Sequence, residues 1–466
     1  MTSVVRLRDD LEFTLGRVIA SAGEGTIYEV ADRPEWVAKI FHRDKSGLAD
    51  RRDKLAAMIE SPPPGATGTD GFVVLTWPLH LIDTQDMLGY VMPRIDTGNA
   101  VEIHTLSNPS NRMNPLPSAP QWTPRMTWRH LLHVAANLCH AVDVVHRVDA
   151  VIGDFQERNI LVNDTSRVTL VDCDSIQFSD SRGRQFFCGV GRPEFTAPEL
   201  VGLDLSAAVR HKPSDFFALA IHIHLLLMGG NHPFLRGMWT GSGDQPSSLA
   251  LAASADWAGG PGSALRTHPL APSPSFLPGE VRQLFGRAFT AGARDPSARP
   301  DAREWRDALQ AIKLTECSSR HQIPVGTGGC PWCAIEAERA NRRSTPKDSV
   351  LQSSSTTATN PDAATKRGGA PAQTASVHPG SVPWNGPQVL KPKTTRMSAR
   401  PPKPMAPLKP KPKAKPKSSQ PDNFSEAMGQ SLYALFKIVG IPLAILVVVM
   451  TVWILCYSFS RAFGAS

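Results

Sequence analysis

The chain has 466 residues, 41% of them hydrophobic and 20% charged, which excludes a wholly disordered protein and leaves room for a sizeable core plus appendages. The formal net charge is +8, yet ten lysines and arginines and no acid lie between Lys391 and Lys417, and without them the balance is −2. The basic character therefore belongs to a tail, with no specific nucleic-acid partner expected, and seven cysteines in so long a chain exclude a disulfide framework.

The opening MTSVVRLRDDLEF is charged and has no apolar segment, so no signal peptide is expected. GRVIASAGEGTIYEV reads as two strands around a glycine-bearing turn, and EWVAKIF as a short apolar strand holding one lysine, Lys39. ADRRDKLAAMIE has helical spacing, with Leu55, Met58 and Ile59 on one face; FVVLTWPLHLI (72–82) and LGYVMPRI (88–95) predict two further strands. After about residue 125 helices dominate: MTWRHLLHVAANLCHAVDVVHRV is long and amphipathic, and DFFALAIHIHLLLMG is apolar nearly all round and predicts a buried helix. His222 and His224 on the latter read as packing residues.

Residues 313–340 hold three of the seven cysteines. Residues 341–430 are rich in Ser, Thr, Pro, Lys and Ala and cannot bury enough apolar surface to fold, which predicts a disordered linker. KPKPKAKPK within it favours an extended polyproline II course. Residues 438–460 carry no charge, and at ~1.5 Å per residue they span a hydrocarbon core of ~30 Å, which predicts a transmembrane helix. Lys437 and the basic linker precede that span and only Arg461 follows it, so the expected topology is single-pass with everything before Lys437 in the cytoplasm.

The chemistry concentrates in VIGDFQERNILVNDTSRVTLVDCDS (151–175): Asp154, then Asn159 five residues later, an apolar run, and the acidic pair Asp172 and Asp174. Phosphoryl transfer needs hard oxygen ligands for Mg²⁺ and a carboxylate beside the incoming hydroxyl. The segment resembles the catalytic and metal-binding loops of protein kinases. The resemblance covers residues 10–312 and is closest to a bacterial branch of that family. It implies an α+β, bilobal fold, with a small β-rich N-lobe and a larger helical C-lobe. It also implies ATP and Mg²⁺ as cofactors and a protein as phosphate acceptor. Asp154 matches the catalytic-loop Asp that orients the hydroxyl and accepts its proton, Asn159 and Asp172 the Mg²⁺ ligands, Lys39 the lysine on the phosphates, and Gly23 and Gly25 the nucleotide-covering loop. Glu199 in FTAPEL and Arg299 in DPSARP match a structural ion pair, and Asp215 matches the acid that anchors the catalytic loop.

Several positions depart from the family pattern. Ala20 and Ala22 replace the first two loop glycines. Ile152 and Gly153 replace the His-Arg before the catalytic Asp, and Gln156 replaces a lysine whose charge Arg158 is expected to supply. Cys173-Asp174 replaces Phe-Gly; Asp174 is expected to be solvated rather than to join Mg²⁺. Arg192 stands where a Thr helps hold the substrate loop. The acid that should pair with Lys39 from the first helix is not identifiable, with Asp50, Asp53 and Glu60 as candidates.

Cys317, His321, Cys330 and Cys333 give four soft ligands in a zinc-ribbon-like spacing, suited to a closed, structural Zn²⁺ site. Cys139, Cys173, Cys188 and Cys456 read as packing residues. The expected function is a membrane-tethered kinase acting on Ser or Thr of proteins, itself included. The alternatives are a pseudokinase scaffold, a small-molecule phosphotransferase, and a polybasic adaptor. Oligomeric state is not encoded in any motif.

Overall fold

The computed structural model describes residues 3–6 and 11–344. The expected linker and the span 438–460 lie outside the described residues. Among those that are described, no helix is long and apolar enough to cross a membrane.

The N-terminal region is a six-stranded antiparallel sheet in the order β1-β2-β3-β4-β6-β5, built from β1 (Ser3–Arg6), β2 (Glu12–Ser21), β3 (Gly25–Val30), β4 (Trp36–Phe41), β5 (His80–Asp83) and β6 (Leu88–Pro93). Helix α1 (Leu48–Glu60) packs on one face. Side chains alternate along a strand, so β4 serves two cores. Ala38 joins Val5, Phe13, Leu15, Val30, Ile82 and Val91 on one face. Val37 and Phe41 join Leu55 of α1, Tyr90 and Met92 on the other. Period two therefore sends Lys39 to the α1 side with Val37 and Phe41.

The expected strand over 72–82 is shorter. Only His80–Asp83 pairs as a strand, while Val73 and Leu75 form isolated bridges to Thr67 and Leu170. Pro78 has no N–H to give a ladder. Trp77 is buried and donates its Nε1–H to the Met58 carbonyl, so this stretch works as a crossing between regions.

A three-stranded sheet follows, β7 (Ala100–Glu102), β8 (Ile160–Asn163) and β9 (Val168–Leu170), with β8 in the middle. Short helices α2 (Ile103–Ser107) and α3 (Pro109–Met113) lead to α4 (Trp128–His146), which starts on a capping box between Thr127 and His130. Helix α5 (Lys212–Leu227) is buried nearly all round, as its uninterrupted apolar sequence requires. His222 and His224 sit within it, His222 stacked on Phe195 at 4.5 Å, and both rings are buried among aromatics. This mixed α/β arrangement, with a small antiparallel sheet first, is consistent with a kinase-like fold.

Candidate functional site

A cavity of about 830 Å³ opens between the sheet and the β8–β9 hairpin. Ala20, Gly23 and Gly25 line one side, Lys39 and Tyr90 the wall, and Leu161, Val171 and Asp172 the floor. Another cavity, of about 840 Å³, lies against Trp128, Leu131 and Trp332, away from Lys39 and Asp172. Chemistry selects the first, because it sets a buried lysine beside a carboxylate, whereas the other has the carboxylates of Glu316 and Glu336 but no lysine on its lining.

Lys39 Nζ donates to Asp172 Oδ1 at 2.7 Å and to Asp174 Oδ1 and Oδ2 at 2.8 and 2.9 Å. Burial pulls the Lys39 pKa down, but the carboxylates of Asp174 and Asp172 outweigh it and hold the ammonium above its ordinary range. Burial pushes the Asp172 carboxyl up, and the neighbouring Asp174 charge adds to this against Lys39. Asp174 is also raised by burial, yet Lys39 and the Tyr90 hydroxyl leave it below its ordinary value. Asp172 sits at φ +60°, a left-handed position, just before the turn Cys173–Ser175. Its side chain is 36% exposed, on the cavity floor, whereas that of Asp174 is 5% exposed. The expectation of a solvated Asp174 is therefore corrected. Tyr90 donates its hydroxyl to Asp174 Oδ1 at 2.6 Å, and Lys54 of α1 donates to the Asp174 carbonyl at 2.6 Å.

None of the candidate helix acids meets Lys39. Asp50 and Asp53 bind Arg184 at 2.8 and 2.7 Å, and Glu60 is exposed. The helix residue that points inward is Lys54, buried beside Leu55, Ala57 and Met58. Burial lowers its pKa to about 8. Sequence reading missed it, although a lysine adjoining the apolar stripe of a helix is a visible signal.

The two glycines of the covering loop differ. A Cβ at Gly25 would meet the Ile40 carbonyl at 2.4 Å, so β3 can approach β4 there only without a side chain, whereas nothing lies within 4 Å of the same point on Gly23. Glu24 between them pairs with Arg51 of α1 at 2.9 Å.

Asp154 is buried on the loop before β8. Its Oδ2 accepts from Gln156 Nε2 at 2.6 Å and from Asn159 Nδ2 at 3.2 Å, and Asn159 also donates to its carbonyl at 3.0 Å. The Val171 amide donates to the Asn159 carbonyl at 3.0 Å, tying this loop to the segment that carries Asp172. Asp215, 2% exposed at the start of α5, accepts from the Ile152 and Gly153 amides and pairs with His146 Nε2. Gly153 has φ +71°, and a Cβ there would fall 2.8 Å from Cys188 Sγ. Arg158 is exposed; the amide of Gln156, not its guanidinium, touches Asp154. Arg192 is exposed too, and the Thr196 hydroxyl donates to its carbonyl. Arg299 makes a two-pronged pair with Glu199 at 2.7 and 2.6 Å.

Beyond the helix Ala302–Gln310, the hairpin Leu314–Glu316 and Gln322–Pro324 and the helix Pro331–Ser344 bring Cys317, His321, Cys330 and Cys333 within 4.8 Å of one another. Zn–S bonds of ~2.3 Å at tetrahedral angles place two sulfurs ~3.8 Å apart. Cys317 and Cys333 Sγ are 3.7 Å apart, and His321 Nδ1 is 3.4 and 3.6 Å from Cys333 and Cys330. The donor set and spacing are compatible with Zn²⁺. Glu336 lies 3.3 Å from His321 Nε2, where a carboxylate orients a ligating imidazole.

The chain is 31% identical over 353 residues to protein kinase YegI of Escherichia coli strain K12, a match that takes in 69% of this chain and 49% of the relative. Protein kinase YegI of Escherichia coli O157:H7 gives 31% over 339 residues with the same coverage. The chain thus spans about half the length of the curated relatives it matches. No protein-family model matches. The relatives, together with the motifs and the arrangement around Lys39, support a bacterial protein-kinase-like family.

Proposed function

We propose that the chain is an ATP-dependent protein kinase that transfers the γ-phosphoryl group to Ser or Thr hydroxyls, including its own. The observation that carries this reading is the Lys39–Asp172 contact of 2.7 Å on the lining of an 830 Å³ cavity. The loop with Asp154 and Asn159 is bonded to the same segment through Val171. In this reading Lys39 binds the phosphates beneath Gly23 and Gly25. Asp154, oriented by Gln156 and Asn159, accepts the hydroxyl proton. Asn159 and Asp172 would hold Mg²⁺ through the oxygen ligands it prefers, and the ion would supply neutralisation of the charge on the phosphates. Arg158, facing solvent, supplies positive charge only towards an arriving substrate. Catalysis is then mostly positioning and charge neutralisation.

The rest of the reading rests on sequence. The span 438–460 tethers the chain to a membrane, with the catalytic region on the cytoplasmic face. The lysines of the linker meet anionic lipid, at about 1 kcal/mol each near the surface. Membrane fractionation with and without 438–460 tests the tether.

The absence of a helix acid on Lys39 favours one second reading, a pseudokinase that binds nucleotide and signals by interaction. Transfer of labelled phosphate from Mg-ATP to the full-length chain decides between the two. A kinase loses the label in Lys39→Ala, Asp154→Ala and Asp172→Ala, and site mapping gives the hydroxyl type. No transfer by the parent chain, with nucleotide bound, leaves the scaffold.

A further inference from the structure

Resting on the reading that the cavity binds Mg-ATP, we propose that Asp174 is the positioning residue that holds Lys39 against the triphosphate, and that α1 supports it through Lys54 in place of an acid of its own.

Asp174 has no share in the cavity lining, unlike Lys39, Tyr90 and Asp172. It stands behind Lys39 and is engaged there at both carboxylate oxygens. Oδ1 accepts from Lys39 and Tyr90, Oδ2 from Lys39, and the backbone carbonyl from Lys54. Ligating a metal would strip the buried ammonium of its main partner, and an uncompensated buried charge is costly. Asp172 differs: only its Oδ1 contacts Lys39, and its side chain is open to the cavity. The two acids thus divide the work, one facing the ligand and one fixing the lysine.

Charge explains the lysine on α1. Lys39, Lys54, Asp172 and Asp174 form a partly buried group of two cations and two anions. An acid at 54 beside Asp174 and Asp172 would add a third negative charge; a lysine balances the pair. Glu24 and Arg51, the next charges outward, neutralise each other. Because Lys54 holds the carbonyl of residue 174, a shift of α1 reaches Lys39 through the 172–174 turn rather than by a direct bond.

The test compares the affinities of the full-length chain for ATP and for adenosine, both with Mg²⁺, since only ATP carries phosphates for Lys39. Asp174→Asn weakens ATP roughly 10- to 100-fold, the loss expected for a charge-assisted contact, and leaves adenosine within about twofold. Tyr90→Phe, which keeps the ring, shifts the ratio the same way by less. Lys54→Met, which removes the donor to the Asp174 carbonyl and keeps the bulk of the side chain, shifts the ratio the same way by less, and an unchanged ratio there removes α1 from the support. Equal loss of ATP and adenosine, or an unchanged ratio, overturns the proposal. If Asp174→Asn does not fold, the Tyr90→Phe ratio decides alone. A parent chain that binds no ATP overturns both this and the kinase reading. One that binds ATP without transferring phosphate removes only the kinase reading, and the ratio still decides this one.

Discussion

Replacing Asp215 by Ala removes the acceptor on which the catalytic loop hangs. Three donors converge on this carboxylate: Ile152 N at 2.8 Å, Gly153 N at 3.1 Å and His146 Nε2 at 2.9 Å. Hydrogen bonds to a charged group contribute about 1.5–3 kcal/mol each, and a buried donor left without a partner costs about 1–3 kcal/mol. The neighbouring void between Gly153, Asp215 and Arg210 is only about 10 Å³, enlarged by the truncated side chain to admit a water that satisfies part of the set. The expected loss is therefore about 3–5 kcal/mol, below the sum of three full bonds. Urea unfolding of the full-length chain should show a lower midpoint with an unchanged slope. Asp215→Asn should lose roughly half as much, because its carbonyl still accepts while its amide faces donors. Phosphate transfer should fall in both variants, since Asp154 lies one residue beyond Gly153. A loss under 1 kcal/mol for Ala, or an Asn variant as damaged as Ala, would refute the account of the loop as suspended from this carboxylate.

Glu199→Ala leaves the Arg299 guanidinium buried with only the Gly292 and Pro213 carbonyls, and should destabilise by about 3 kcal/mol in the same assay, with Glu199→Gln intermediate. Burial lowers the pKa of His222 and His224 to about 4 and of His232 to about 3. The unfolded chain therefore binds their protons first, near pH 6.5, and stability is full above that value and is lost as pH falls towards 4. Each ring should cost about 1 kcal/mol between pH 6.5 and 5.5, and His224→Phe should remove about that much of the pH-dependent loss of unfolding free energy over this interval. Metal analysis should find one Zn²⁺ per chain, lost in Cys330→Ser and on chelation, with protease cleavage appearing near Gly326–Gly329. Retention of zinc by Cys330→Ser would remove that residue from the ligand set.

Sequence by itself determined the local pieces. The spacing of Asp154, Asn159 and Asp172 is set within one loop-hairpin segment, so its geometry follows from neighbours in the chain. Helix α4 was legible because its apolar period repeats over 19 residues, and α5 because its sequence is apolar nearly all round over 16. The Cys/His cluster was legible because its four residues lie close along the chain in a metal-ligand spacing, which a short hairpin and a helix start then bring together. Tertiary structure alone decided which acid holds Lys39. Asp174 is 135 residues away, and a place beside an ammonium is filled by whichever carboxylate the packing delivers, not by the one a pattern leads one to expect. It also decided that Lys54, on a helix with three exposed or half-exposed acids, is the charge turned inward, and that Pro78 and Trp77 turn an apolar run from a strand into a crossing. Spacing along the chain fixes a side chain's direction over a few residues; over a hundred, only the packed core does.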